Sequence, residues 1–242
     1  MSFHDRSVAV IGAAGGIGSA LCRSLAVEGA RLTLIGRDRQ GLETLAAETG
    51  GVAVVCDAAA MEDLDSVLAA VDDLYGIVNC AGSLLLKPAH ATTPAEFDQC
   101  ISANLRTAFA TVRAGVKAIG SSEGSIVLMS SAAARTGLAN HEAVAAAKAG
   151  VIGLALSAAA TYAPRRIRVN CVAPGLTDTP LTTRILSNET SRQASASMHA
   201  LGRTGCPEEV ASAIQWFLDP AQAWVTGQVL GVDGGLASVR PR

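Results

Sequence analysis

The sequence predicts an α/β fold, a single doubly wound, Rossmann-like parallel sheet of about seven strands with helices on both faces. Three observations carry this. Short apolar runs recur through the chain and alternate with helical patterns, the rhythm of βαβ units with right-handed crossovers. The first of them, within residues 8–18 (Val-Ala-Val-Ile-Gly-Ala-Ala-Gly-Gly-Ile-Gly), breaks directly into clustered glycines and then a helical pattern, which reads as strand, tight turn and helix start. Finally, 242 residues with 50% hydrophobic content can bury one large core, and no shift in composition marks a linker, so residues 1–242 form one domain.

The bulk numbers exclude several classes of partner. A net charge of −2 and a pI near 6.1 give no basic field for nucleic acid or anionic lipid, which leaves a small molecule. The six cysteines, Cys22, Cys56, Cys80, Cys100, Cys171 and Cys206, are scattered without a Cys-x-x-Cys pair. They fit neither a metal site nor a disulfide framework and read as small core residues in a reducing compartment. Residues 1–6 carry His, Asp and Arg where a signal peptide needs an apolar core, so the expected location is the cytoplasm. The longest uncharged stretch, residues 149–164, is too short to span a membrane. A helix over residues 144–163 that is apolar all round is expected to pack on the sheet with one face and on another subunit with the other, giving a homodimer or homotetramer.

In chain order, the glycines at 12, 16 and 18, with Ile17 between them, would bring backbone N–H groups to a pyrophosphate on the positive end of the first helix. Glycine turns also occur without a ligand. Residues 31–36 form the second strand and end at Arg37-Asp38-Arg39. In dinucleotide folds an acid ending this strand binds the ribose hydroxyls, whereas a nearby Arg accommodates a 2′-phosphate. Gly36 occupies the acid's place and Arg37 follows, which favours NADP over NAD; Arg37 as a solvated turn residue and Asp38 as a ribose ligand are the alternatives. Residues 52–56 make the third strand, ending at Asp57, and residues 74–80 the fourth, ending in Asn79-Cys80-Ala81-Gly82. Asp57 and this turn then face the same crevice as the glycines, although an Asp after a strand is commonly a helix cap.

Thr93, Pro94 and Glu96 open a helix that runs through Asn104 to about Ile119. Residues 124–130 are the fifth strand with Ser131 just beyond it, residues 168–173 the sixth, and residues 227–235 the seventh. Between the last two, residues 180–205 are rich in Ser and Thr and weakly patterned, which reads as a long irregular substrate lid, and a helix opens at Pro207.

The glycine spacing Gly-x-x-x-Gly-x-Gly, Asn79-x-Ala81-Gly82, Pro174-Gly175 with Thr177 and Thr179, and the terminal Asp233-Gly234-Gly235 occur in order over nearly the whole chain. Together they resemble the short-chain dehydrogenase/reductase family. The resemblance implies a nicotinamide cofactor held by Gly12, Gly16, Ile17, Gly18, Arg37, Asp57, Asn79, Ala81, Gly82, Lys148, Pro174, Gly175, Thr177 and Thr179. It implies that Ser131 polarises a substrate carbonyl, that Asn104 anchors a water in a proton relay, and that Lys148 holds the nicotinamide ribose. It also implies a tyrosine thirteen residues after Ser131 as proton donor. That position is Val144. Tyr162 lies 18 residues further on, about 27 Å away along one helix, and Tyr75 begins the fourth strand, at the wrong end of the sheet. His141 is the titratable replacement in reach, since positions 141, 144 and 148 share a helical face, though a His in a helix's first turn is commonly a solvated cap neighbour. Glu142 points elsewhere, and His199 in the lid is too loosely placed to weigh. Three functions remain open: an NADP-dependent carbonyl/alcohol oxidoreductase with an atypical site, a cofactor-binding pseudoenzyme, and a lyase or isomerase on the same scaffold.

Overall fold

The computed structural model describes residues 3–120 and 122–240. Seven parallel strands form one sheet: β1 (Ser7–Ile11), β2 (Arg31–Gly36), β3 (Val52–Val55), β4 (Leu74–Asn79), β5 (Gly124–Met129), β6 (Ile167–Pro174) and β7 (Val229–Val232). Their order is β3-β2-β1-β4-β5-β6-β7. The order reverses between β1 and β4, so the crevice at the carboxyl ends of those two strands is the place where such sheets take a ligand.

Side-chain alternation along the strands feeds two cores. Ala9, Ile11, Ile77, Ile126 and Leu128 point to the layer of α3 (Met61–Ala69), α5 (Thr107–Ile119) and α6 (Glu142–Tyr162). Val8, Val10, Val78, Val127 and Val172 point to the layer of α1 (Gly16–Val27), α2 (Arg39–Thr49) and α9 (Pro207–Leu218). Both faces of β1, β4 and β5 are thereby buried, as parallel strands under crossover helices must be.

Three expectations change. The segment 180–205 is not irregular: it contains α7 (Thr183–Leu186) and α8 (Glu189–Met198), the latter started by Asn188 accepting the Ser191 N–H at 2.9 Å. Its polar outer face hides the helical period from a reading based on apolar spacing. As expected of it within a single chain, the apolar helix α6 is covered on one face only. Val144, Lys148, Val151 and Ala155 are buried, while Leu156 on the other side is 49% exposed. By length and composition α6 could cross a membrane, but its ends lead from β5 and into β6, neighbours in one sheet, which is the placement of a crossover helix. Cys206 is exposed at the start of α9 and not in the core, and Cys80 is only partly buried. Apart from those of β2, the strand ends also move, by up to three residues, most at β7, an edge strand paired only with β6.

Candidate active site

The glycine turn is built as a cradle that only glycine can make. Gly12 has φ +77°, and a Cβ there would lie 2.7 Å from the Ala81 nitrogen; at Gly16 it would lie 2.7 Å from the Thr179 methyl. At Gly18 it would collide with the Gly12 carbonyl. Helix α1 then starts at Gly16 behind Gly15, with no side-chain cap and no acid in its first turn. Its leading N–H groups, with Ile17 among them, are left to an outside acceptor, and the helix dipole favours an anion there. These residues fit a dinucleotide pyrophosphate.

The second strand delivers Arg37 to the same rim, exposed and without an ion pair or hydrogen bond among the described residues. Asp38 is engaged as the cap of α2, accepting the Gly41 N–H at 3.2 Å, which takes up part of the carboxylate the ribose alternative needed. Asp57 follows β3 at the same end of the sheet; it is exposed and accepts the Ala59 N–H at 3.0 Å. The local turn reading of Asp57 is thus realised, with its second oxygen left over.

Asn79 is buried and shapes the next turn: its Oδ1 accepts the Ala81 N–H at 2.9 Å and its Nδ2 donates to Thr111 at 3.0 Å. Cys80 N–H donates to the Ile11 carbonyl at 2.8 Å, which ties this turn to the end of β1. Gly82 gives room for what lies behind it, since a Cβ would stand 2.9 Å from Asn104 Oδ1 and 3.3 Å from Lys148 Nζ.

The helix predicted over 93–119 is divided. Between α4 (Pro94–Ile101) and α5, residues Ser102–Arg106 form a single π-helical stretch, and Asn104 sits in its middle, 1% exposed. Its Oδ1 accepts the Ser83 N–H at 3.2 Å, and its Nδ2 donates to the Ser83 hydroxyl at 3.1 Å and the Cys100 carbonyl at 2.9 Å. π turns re-aim backbone and side chains in this way and recur at functional sites.

Ser131 leaves β5 and caps a short 3₁₀ turn, its hydroxyl oxygen accepting the Ala133 N–H at 3.2 Å. Lys148 reaches back from α6 to the end of β5, where Nζ donates to the Met129 carbonyl at 2.9 Å. The neighbouring Ser130 locks that helix turn by donating to the Lys148 carbonyl at 2.8 Å. Burial without a carboxylate partner pushes the Lys148 ammonium down to about 8, against a smaller opposing effect of the thiols of Cys171, Cys80 and Cys100. The same burial pushes Cys80 and Cys171 up to about 12.

Ser131, Asn104, Lys148, Val144 and His141 all line one cavity of about 400 Å³, together with Ile17, Ala81, Gly82, Pro174, Gly175, Thr177 and Thr179. Val144 packs on Cys100 and Leu85 and offers only methyl groups. His141 stands at the cap of α6, one position before its first turn, with Nδ1 bonded to the Ala139 carbonyl at 2.7 Å. Its other ring nitrogen has no hydrogen bond among the described residues. Tyr75 is at the far end of the sheet, donating to the Leu218 carbonyl at 2.9 Å, and Tyr162 closes the far end of α6.

Residues 180–205 supply what sequence reasoning set aside. His199 is 3% exposed and lines the cavity; Nε2 accepts the Leu176 N–H at 3.1 Å and Nδ1 contacts the Ser195 carbonyl at 2.7 Å. A peptide N–H only donates and a carbonyl only accepts, so the ring is the neutral Nδ1–H tautomer. It ties α8 to the turn after β6. Thr182 adds a second tie, donating to the Thr177 carbonyl at 2.6 Å, while Thr177 itself bridges to Gly205. Leu84, Leu86, Leu138, Ile185 and Met198 make the rest of the wall. No spacing could announce them, because four separate segments contribute.

The comparisons agree with this geometry. The family model described as enoyl-(acyl carrier protein) reductase matches residues 12–237. The chain is 34% identical to the 3-oxoacyl-(acyl-carrier-protein) reductase FabG of Thermotoga maritima, over 98% of this chain and 99% of that one. It is 36% identical to the cis-4-hydroxycyclohexanecarboxylate dehydrogenase of Sinomonas cyclohexanicum, over 98% and 99%. A solved structure described as a short chain dehydrogenase/reductase family protein superposes with a TM-score of 0.91 at 32% identity, covering 99% of this chain and 100% of that chain. With the glycine cradle, the seven-stranded order and the Ser131–Lys148 pair in one cavity, these matches establish that the chain belongs to the short-chain dehydrogenase/reductase family of nicotinamide-dependent oxidoreductases.

Proposed function

We propose that the protein is an NADP(H)-dependent oxidoreductase of the cytoplasm that interconverts the carbonyl and alcohol forms of an uncharged, apolar substrate. The observation that carries this reading is the convergence of Ser131, Asn104 and Lys148 on one cavity under the glycine turn. Gly12, Gly16, Ile17 and Gly18 would cradle the pyrophosphate, Arg37 the 2′-phosphate, Asp57 the adenine side, and Asn79, Ala81 and Gly82 the turn beside it. Lys148, Pro174, Gly175, Thr177 and Thr179 would enclose the nicotinamide half. When bound, the cofactor supplies a hydride. Arg37 supports NADP because it is exposed and unpaired where Gly36 leaves no carboxylate to repel a phosphate. The cavity lining contains no Asp, Glu or Arg, which disfavours charged substrates. The exposed face of α6 and the edge strand β7 support a homodimer or homotetramer.

In this reading the Ser131 hydroxyl holds the substrate oxygen and the Lys148 ammonium lowers the cost of negative charge developing on it. The proton is the weak link. General acid–base help is worth roughly 10²–10⁴-fold, about 3–5 kcal/mol of barrier, and Val144 supplies none. His141, with one ring nitrogen open at the cavity, is the proposed surrogate acid. The alternative favoured by Val144 is a cofactor-binding pseudoenzyme, or a lyase or isomerase that needs no alkoxide protonation.

Titrating NADPH into the protein by fluorescence and then offering a carbonyl panel tests this reading. Binding with turnover supports the oxidoreductase, binding without turnover supports the alternatives, and absence of binding refutes both cofactor readings. A His141→Ala variant that keeps the parent's turnover removes His141 as the acid.

A further inference from the structure

Helix α8 is weakly held. It buries one side chain, Ser195, and its last residue, Met198, is 49% exposed. Its C-cap, His199, is by contrast buried, and it lines both the cavity of about 400 Å³ and a second one of about 300 Å³. A glycine makes the seat for the ring, since a Cβ at Gly175 would stand 2.6 Å from His199 Nε2. From there Nε2 accepts the Leu176 N–H in the turn that follows β6, and Nδ1 donates to the Ser195 carbonyl in α8. Among the described residues no other hydrogen bond joins α8 or its cap to residues 175–179. An element with so little buried surface opens at low cost, so this ring is a principal tie. The charged and titratable groups around it are spent elsewhere or stand across a cavity. Asp233, on the turn after β7, accepts the Gly235 and Ala237 N–H groups at 3.0 Å each. Arg203 and Glu209 pair with each other at the smaller cavity, and Asp178 on the turn is exposed. Lys148, Cys80 and His141 line the larger cavity, and Glu189 and Arg192 lie two to three turns back on α8. None of them bonds to the ring.

On the reading of Gly175, Thr177 and Thr179 as the wall of the nicotinamide half, we propose that His199 is a positioning residue for the cofactor. Its neutral ring clamps α8 to the turn 175–179 and its protonation releases both, so cofactor affinity falls as the pH is lowered. The sign follows from hydrogen-bond chemistry. A peptide N–H only donates, and an imidazolium donates at both nitrogens, so the Leu176 bond exists only while Nε2 carries no proton. Protonation sets two donors against each other and places a charge in a buried seat where no carboxylate bonds to it, so the ring leaves. Imidazole changes charge near neutral pH, which puts the release within reach of ordinary conditions. By linkage, a cofactor that binds the clamped form better also holds the ring neutral.

The test compares the full chain with His199→Gln, whose amide oxygen accepts the same N–H and does not titrate, and with His199→Leu, which has no acceptor. Calorimetry at about pH 8 and about pH 5.5 gives the dissociation constants for NADP+. Hydrogen exchange of the cofactor-free proteins, corrected for the intrinsic effect of pH, follows the peptides over residues 176–199. The parent should bind NADP+ at least about fivefold more weakly at the lower pH, the scale of one lost hydrogen bond, and residues 176–199 should lose protection over the same interval. His199→Gln should change by less than about twofold between the two pH values in both measurements. Every other titrating group, the 2′-phosphate included, is common to both proteins and cancels. His199→Leu should bind weakly and lack protection at both pH values. Parent protection that is the same at both pH values overturns the proposal, as does a pH dependence of affinity that His199→Gln retains. So does a His199→Leu variant, folded by circular dichroism, that matches the parent at about pH 8. A parent that loses protection at the lower pH and binds NADP+ at neither supports the clamp and refutes the cofactor reading beneath it.

Discussion

Replacing Lys148 by Met should stabilise the fold at neutral pH while abolishing the site. The ammonium falls from the ordinary 10.5 to about 8 because burial penalises the charged form. At about 1.4 kcal/mol per unit, that is a cost on the order of 3 kcal/mol to the folded state below about pH 8, where both states are protonated. Met fills similar volume without charge, and the lost Nζ bond to the Met129 carbonyl returns about 1 kcal/mol of the gain. The net expectation is a variant more stable by about 2 kcal/mol at pH 7. The sign follows from linkage. Between about pH 8 and 10.5 the unfolded chain binds the extra proton and the native chain does not, so parent stability climbs through that window while the variant's does not. The gap is full below pH 8 and closes above 10.5. Urea unfolding of both proteins at pH 7 and pH 10.5 measures it. A variant less stable than the parent at pH 7, or a difference that does not change with pH, would refute the desolvated-lysine account.

Val144→Tyr should raise carbonyl reductase turnover by roughly 10²-fold or more, since Ser131, Asn104 and Lys148 already line the cavity the phenol would enter; a folded, NADPH-binding variant with no gain argues for the non-redox readings. NADPH should bind more tightly than NADH, and Arg37→Ala should erase most of the difference in dissociation constants; equal constants in the parent would defeat the assignment. Sedimentation at micromolar concentration should give a dimer or tetramer, and a 24.5 kDa species would rule out association through α6 and β7.

The parallel strands and the glycine turn were legible because strands buried on both faces leave unbroken apolar runs, and because Gly12, Gly16 and Gly18 cannot be replaced without collision, whereas the strand order came from the structure. Ser131, Asn104 and Lys148 could be named for a different reason: the family resemblance implied them by their spacing, and the structure brings the three to one cavity. His199 was not. Its value comes from a backbone N–H after β6 and a carbonyl in α8, and no local pattern encodes two partners brought together by the lid's own fold. The helices α7 and α8 escaped because one has four residues and the other buries only Ser195, so neither shows an apolar stripe. For α6, all-round apolar composition says that the helix needs cover, not where the cover comes from.

The π turn at Ser102–Arg106 acts as a phase shifter. An α-helix advances about 100° per residue, so a run from Pro94 to Ile119 without that extra residue would face its two halves along one continuous stripe. With it, Cys100 on α4 packs toward Val144 on α6, while Val112 and Val116 on α5 turn to the sheet and α3. One residue of surplus length therefore lets a single rod serve two walls at once. Deleting Ala103 would swing α4 by about 100°, carrying Cys100 away from Asn104 and from the Val144 it packs against at the cavity wall, while leaving α5 seated. The pocket's geometry thus depends on chain length at this point as much as on the chemistry of any side chain.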